Sequence, residues 1–452
     1  MGVRMGKIKV AAGLCLAGAL GWAGWQGIDA AEVATGYSAK QLCSGVFVAG
    51  LPARFVIERD ILPRMALLGP ARGLLDLTVD AQSGEARASL LGVRARAGVQ
   101  GPATGCSLHR DGRGAPPAQP APSRPWPEAA APAGLAQAVD AAFAEPEGGG
   151  RNTLAVAVAR DGHLLAERYL APVDAGTRLQ GWSMNKSLLA TWVALRSADG
   201  GGLSLGDPVR QRLLALGAPP ATTRDLAPGL TLGHLLQMES GLAFEERYAP
   251  GSDATRMLYR SDAMWRVAPA TGQAHPPGAQ FSYSSGDSNL AAYLWQQSLG
   301  TGYADWVREH FSEPLGIRSL VPEADAGGTQ VGSSYSYMTA RDWLRVGQLW
   351  LDAWHGRSPL LSRAWLREAV TPRPSDPLGR YGRSFWLNTG GVAFPGQPET
   401  LFYAGGNAGQ YVLVVPEEEL VIVRLGLTDE PRVQPGMAEL LAGVRDALGS
   451  AP

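Results

Sequence analysis

Seven prolines lie between Pro116 and Pro132, interleaved mainly with alanine. Proline lacks an amide hydrogen and holds the residue before it extended, so neither a helix nor a central strand can run through this stretch. Whatever folds upstream and downstream must fold from separate runs of chain. Residues 111–132 are therefore expected to form a stiff, extended linker between a small N-terminal unit and a large domain over 133–450. The chain has 452 residues, of which 45% are hydrophobic, enough for a substantial core beyond that boundary.

Residues 36–110 read as a small β-rich module. Positions 45–48 and 55–57 are short apolar runs, and 74–79, the turn Gln82-Ser83-Gly84 and 85–91 have the pattern of a hairpin. In the large domain, Leu135, Val139 and Phe143 mark one face of a first helix. Residues 153–159 and 164–169 flank Asp161-Gly162 as a second hairpin, and 411–415 and 420–425 flank Pro416-Glu417 as a third. A last helix carries Met437, Leu440, Leu441, Val444 and Leu448 on one face, and the middle of the chain is mostly helical. This predicts an α+β fold: an antiparallel sheet assembled from both ends of the domain, flanked by helices, with a large helical insertion.

The N-terminus reads as an export signal or membrane anchor over residues 1–31. Arg4, Lys7 and Lys9 precede an uncharged stretch from 10 to 28, on the border between a signal core and a membrane span. Ile28-Asp29-Ala30 is a poor cleavage signal. With the positive charges retained inside, the remainder faces outward, so a periplasmic or inner-membrane-anchored protein is expected. Cys15 lies within that segment. Cys43 and Cys106 are left as one pair, a disulfide in an oxidising compartment or two buried thiols. A net charge of −1 argues against nucleic acid as a partner. The six histidines never occur as HxH or HExxH, so a zinc hydrolase is not expected; the serine chemistry read below requires no metal or organic cofactor.

Only four of the 40 basic residues are lysines, and Lys186 is the only lysine after Lys40. It stands in Ser183-Met184-Asn185-Lys186 at the start of a run that reads as a buried helix. Residues i and i+3 share a helical face, so the amine can reach the hydroxyl. A serine becomes a competent nucleophile when a neighbouring base takes its proton, and lysine serves once burial lowers its pKa. Arginine cannot replace it, because it keeps its proton. A rival, Gly202-Leu203-Ser204-Leu205-Gly206, has the nucleophile-elbow pattern, but its flanks read as loop rather than strand and helix. Two further elements follow. Tyr283-Ser284-Ser285, after His275-Pro276-Pro277-Gly278, offers a phenol able to shuttle a proton. The glycine-rich stretch 402–410 offers backbone N–H groups that can approach an oxyanion closely.

In this order, the three elements resemble the serine β-lactamase and penicillin-binding-protein superfamily, in particular class C-like esterases and aminohexanoate-oligomer hydrolases. Leu230–Leu242 with its Ser240-Gly241-Leu242 turn, Pro314-Leu315-Gly316-Ile317 and Tyr381–Trp386 are similar to that family as well. The resemblance implies a β-lactamase/transpeptidase-like fold with Ser183 as nucleophile, Lys186 as base and Tyr283 as second acid/base. It implies an oxyanion site from the backbone of Ser183 and Asn407. Ser285 stands where many members have asparagine, and Tyr335 and Trp386 are expected to line the substrate pocket. The Lys-Thr-Gly box is missing, with Ala404-Gly405-Gly406 in its place, which favours a small neutral ester or amide over a β-lactam carboxylate. A β-lactamase or DD-peptidase on the same fold, and a non-catalytic envelope sensor, stay open as alternatives.

Overall fold

A computed structural model describes residues 27–120 and 122–449. The basic N-terminus, Cys15 and nearly all of the uncharged stretch lie outside the described residues. Among those described, no helix is long and apolar enough to cross a membrane.

The main sheet is antiparallel, with six strands in the order β10-β11-β12-β13-β5-β6. These are β5 (Thr153–Arg160), β6 (His163–Tyr169), β10 (Trp386–Leu387), β11 (Phe402–Gly406), β12 (Gln410–Val415) and β13 (Leu420–Gly426). The sheet is thus built from both ends of the domain, as its hairpins predict. Asp161 and Gly162 both take positive φ, +52° and +75°, the geometry a two-residue hairpin needs to match strand twist. Side chains alternate across β5 and β13. Val156, Val158, Leu420 and Ile422 face the Leu135–Ala141 and Met437–Ala447 helices. Ala155, Ala157, Val421 and Val423 face the larger core with the Ala340–His355 helix. That helix lies close to the sheet at Gly347, where a Cβ would come within 2.4 Å of Val421.

The N-terminal part departs from expectation. A second sheet of β1 (Asp76–Asp80), β2 (Glu85–Leu90), β3 (Val93–Gly101) and β4 (Gly105–Leu108) contains the predicted hairpin. However, 45–48 and 55–57 are helical rather than extended, and residues 27–43 form one helix that starts inside the segment read as signal or anchor. From Val33 to Cys43 that helix is buried. It therefore lacks the polar stripe that makes a surface helix visible in sequence. Its Asp29 carboxylate pairs with Arg260.

This unit packs closely on the large domain. Buried Lys40 pairs with Glu323 of the large domain, whose carboxylate also accepts from Ser44 Oγ at 2.9 Å and from the Cys106 N–H at 2.7 Å. Cys43 and Cys106 are joined by a disulfide. Ser107 Oγ donates to the Ala324 carbonyl at 2.9 Å. The proline-rich segment runs as a strap along the large domain. Arg124 N–H donates to Gly316 O at 3.1 Å, Ser123 Oγ to Asp342 at 2.7 Å, and buried Trp126 to Arg341 O at 3.2 Å. Proline leaves the chain extended, and these flanking polar groups bind it to the domain surface.

Candidate active site

Strand β7 (Leu179–Gln180) pairs with β9 (Ser336–Met338), and the chain then turns sharply into the Met184–Ala198 helix. Gly181 sits against the Trp343 ring, where a Cβ would be 2.3 Å away. Trp182 takes φ +48°, a conformation bulky residues rarely adopt, and strain of this kind persists where the surroundings enforce it. Ser183 is the N-cap, so its N–H is among those a helix leaves without an internal acceptor. One turn on, Lys186 is 1% exposed. Its Nζ lies 3.0 Å from Ser183 Oγ, 3.0 Å from Ser285 Oγ and 3.3 Å from the Ser333 carbonyl. Burial lowers the Lys186 pKa to about 8, with the negative charge of Glu246 opposing part of that shift. The serine and lysine singled out by sequence thus meet, at a distance where proton transfer between them is direct.

Ser285 opens the Ser285–Gln297 helix, capped by Ser284. It is fully buried, so it does not line a substrate pocket. Instead it lies behind Lys186, and the Glu246 carboxylate accepts both its hydroxyl at 2.7 Å and its N–H at 2.6 Å. The Tyr283 ring stacks on Trp386 with centroids 5.2 Å apart, and Lys186 Nζ stands 4.7 Å from its centre. Ser183 is among the groups close enough to the Tyr283 hydroxyl to influence the phenol's ionisation. Tyr248 sets its ring edge-on to Trp182, with Ser183 and Ser285 among the groups that influence its phenol. Loss of hydration around half-buried Tyr283 holds its phenol well above the ordinary range, so it enters the site as a proton donor, while Tyr248 is 44% exposed.

On the far side of Ser183 runs β11. A Cβ at Gly406 would stand 2.3 Å from Gly181 O and 3.1 Å from Ser183 N, so only glycine lets the strand edge approach the serine backbone. Asn407 follows in the three-residue turn to β12. Buried Arg424 fixes that turn, donating to Gly409 O at 2.5 Å and to Thr153 and Thr428 hydroxyls at 2.8 and 2.9 Å. Two backbone N–H groups, of Ser183 and Asn407, are thereby carried on facing elements. Gly406→Ala is expected to push β11 from Ser183 and cut kcat on a chromogenic ester about 10²–10³-fold, as losing one oxyanion donor does. Gly405→Ala, whose Cβ would meet only the side chains of Tyr403 and Trp386 at 3.3 and 3.4 Å, should cost much less. Steady-state kinetics of both variants check this.

Trp386 belongs to the site through its stack on Tyr283, whereas Tyr335 does not. Tyr335 is fully buried, covers Lys40 at 4.1 Å and donates to the Leu258 carbonyl at 3.3 Å, so no substrate can reach it. Ser204 lies exposed in a turn, its Oγ accepting from the Gly206 N–H at 3.3 Å, with no strand feeding it. Sequence reasoning missed Glu246 and Tyr248. They come from a loop 39 and 37 residues before Ser285 and belong to no spacing motif. Among the described residues, no cluster of His, Cys, Asp and Glu could hold a metal ion.

A family model described as beta-lactamase matches residues 136–443. Several solved structures are similar at low identity. One is a Bacillus anthracis protein provisionally assigned as a 6-aminohexanoate-dimer hydrolase, with 17% identity and TM-score 0.58, covering 73% of this chain and 89% of that one. A second is EstCE1, described as a hydrolase with promiscuous acyltransferase activity, with 18% identity, TM-score 0.54 and coverages of 70% and 98%. A third is a D-stereospecific amidohydrolase from Streptomyces sp., with 18% identity, TM-score 0.52 and coverages of 71% and 99%. At such identities these likenesses establish the fold. No curated protein matches the sequence.

Proposed function

Because the chain belongs to the beta-lactamase family of serine hydrolases, we propose that it cleaves a neutral ester or amide through an acyl-enzyme on Ser183. Lys186 acts as the base. The single observation that carries this reading is the 3.0 Å contact between Ser183 Oγ and the buried Lys186 amine. Ser183 Oγ attacks the carbonyl carbon as its proton passes to Lys186 Nζ. The N–H groups of Ser183 and Asn407 hold the oxyanion, and Tyr283 hands a proton to the leaving group while the Lys186 ammonium gives its proton back to the phenol. Water then attacks the acyl carbonyl, its proton passing to neutral Lys186 and on to Ser183 Oγ as the acid is released. The absence of a Lys-Thr-Gly cation and the presence of the Glu246 carboxylate both disfavour an anionic substrate.

The reading extends to location. An exported protein, cleaved or anchored through residues 10–28, fits the basic N-terminus and the Cys43–Cys106 bond, since disulfides persist in oxidising compartments. Cell fractionation of the tagged full chain tests this, recovery in the cytosol with free thiols being the contrary result.

Lys186 works as a base only when neutral. Lowered from 10.5 to about 8, it is neutral in roughly a tenth of the molecules at pH 7. For a neutral chromogenic ester, kcat/KM should therefore rise almost tenfold per pH unit up to about 8 and level off above it. A profile flat from pH 6 to 9, in folded protein, would contradict the assignment.

A further inference from the structure

Lys186 has three acceptors around it: Ser183 Oγ, Ser285 Oγ and the Ser333 carbonyl. A protonated amine satisfies all three. A neutral amine has two N–H groups and one lone pair, and catalysis requires that the lone pair face Ser183. The Ser333 carbonyl can only accept. Ser285 could in principle accept or donate, but its hydroxyl proton is committed to Glu246 Oε1 at 2.7 Å. Glu246 is itself held in register by the Ser285 N–H at 2.6 Å, at the start of a 13-residue helix where a carboxylate is favourably placed.

We propose that Glu246 is a positioning residue that, through Ser285, sets the direction of this hydrogen-bond chain and so aims the Lys186 lone pair at Ser183. With Ser285 and Ser333 both obliged to accept, the two N–H groups of the neutral amine go to them and the lone pair is left for the Ser183 proton. When Ser183 Oγ bonds to the substrate carbonyl, that proton moves to Nζ. The ammonium then finds all three acceptors already in place. Glu246 neither touches the reacting atoms nor gains a proton. Besides Lys186, the titratable groups that feel its charge are Tyr248, Tyr283, Tyr381 and Asp287.

The inference rests on Ser183 and Lys186 acting as proposed, so the wild-type protein is the first control. If it neither hydrolyses p-nitrophenyl acetate nor takes a fluorophosphonate on Ser183, the functional reading fails before this one is reached. Given an active wild type, Glu246→Gln keeps the shape but lets the amide donate to Ser285 and reverse the chain. The plateau kcat/KM should fall at least tenfold. The acid limb should also move to lower pH, because the charge that raises the Lys186 pKa is gone. Ser285→Ala, which breaks the chain but keeps the carboxylate, should lower the plateau similarly with a smaller movement of the limb. The double variant should lose little more than either single one, since the two side chains act as a unit. A plateau within twofold of wild type for Glu246→Gln overturns the proposal, as does a lowered plateau with an unmoved limb. If that variant does not fold, Ser285→Ala decides: a wild-type plateau overturns the proposal, and a tenfold loss supports it.

Discussion

Replacing Lys186 with alanine is expected to reduce turnover of a neutral chromogenic ester by about 10²–10⁴-fold, the usual contribution of a positioned general base. Ser183 Oγ would keep its place at the helix start, since the turn is fixed by Gly181 against Trp343 and by the Gly181 N–H bond to Ser336 O at 2.9 Å. What disappears is the acceptor for its proton. The nearest neighbours do not substitute: Tyr283 is a phenol whose loss of hydration keeps it protonated, and Ser285 already donates to Glu246. Lys186→Arg should be nearly as inactive, because guanidinium keeps its proton. Burst and steady-state kinetics separate acylation from deacylation. Retention of more than a tenth of the wild-type acylation rate in Lys186→Ala would show that another group accepts the proton.

The second large effect lies far from the nucleophile. Glu323→Gln is expected to destabilise the protein by about 3–5 kcal/mol, the cost of leaving a buried charge without its partner. Lys40 and Glu323 are both essentially inaccessible to solvent, and burial already lowers the Lys40 pKa against the opposing pull of Glu323. Converting both residues to methionine should recover only part of the loss, since it removes the lone buried charge but leaves the Cys106 N–H and the Ser44 hydroxyl without their acceptor. Urea midpoints of the single and double variants test this, equal midpoints for Glu323→Gln and wild type being the contrary outcome. The pair matters to the site as well. Val331 N–H donates to Glu323 O at 3.0 Å, and Asn185 Nδ2 donates to Val331 O at 2.7 Å. Two residues on, the Ser333 carbonyl reaches Lys186. The N-terminal helix therefore braces the segment that carries one of the lysine's acceptors.

These two residues mark how far the sequence is legible. Ser183 and Lys186 are one helical turn apart, so local spacing alone brings them together. The hairpins at 153–169 and 410–426 show their alternation and turn chemistry in the same local way. Glu246 meets Ser285 across 39 residues, and Lys40 meets Glu323 across 283, through a fold that no periodicity encodes. The 27–43 helix is hidden for a related reason: buried almost all round, it presents neither a helical nor a strand pattern. Tyr335 failed as a pocket residue because an aromatic in a family-like segment is as well suited to covering Lys40 as to meeting a substrate. The prolines of 111–132 do mark extended chain, but composition does not reveal that Ser123, Arg124 and Trp126 fasten it down.

The proposed chemistry requires that Ser183 be a nucleophile activated by Lys186. The most direct measurement is intact mass and peptide mapping of the folded protein, residues 27–452, after exposure to a fluorophosphonate. The expected result is a single adduct on Ser183 that forms faster as pH rises through about 8 and is lost in Lys186→Ala. An adduct on Ser204, or no adduct in protein that remains folded, would contradict it.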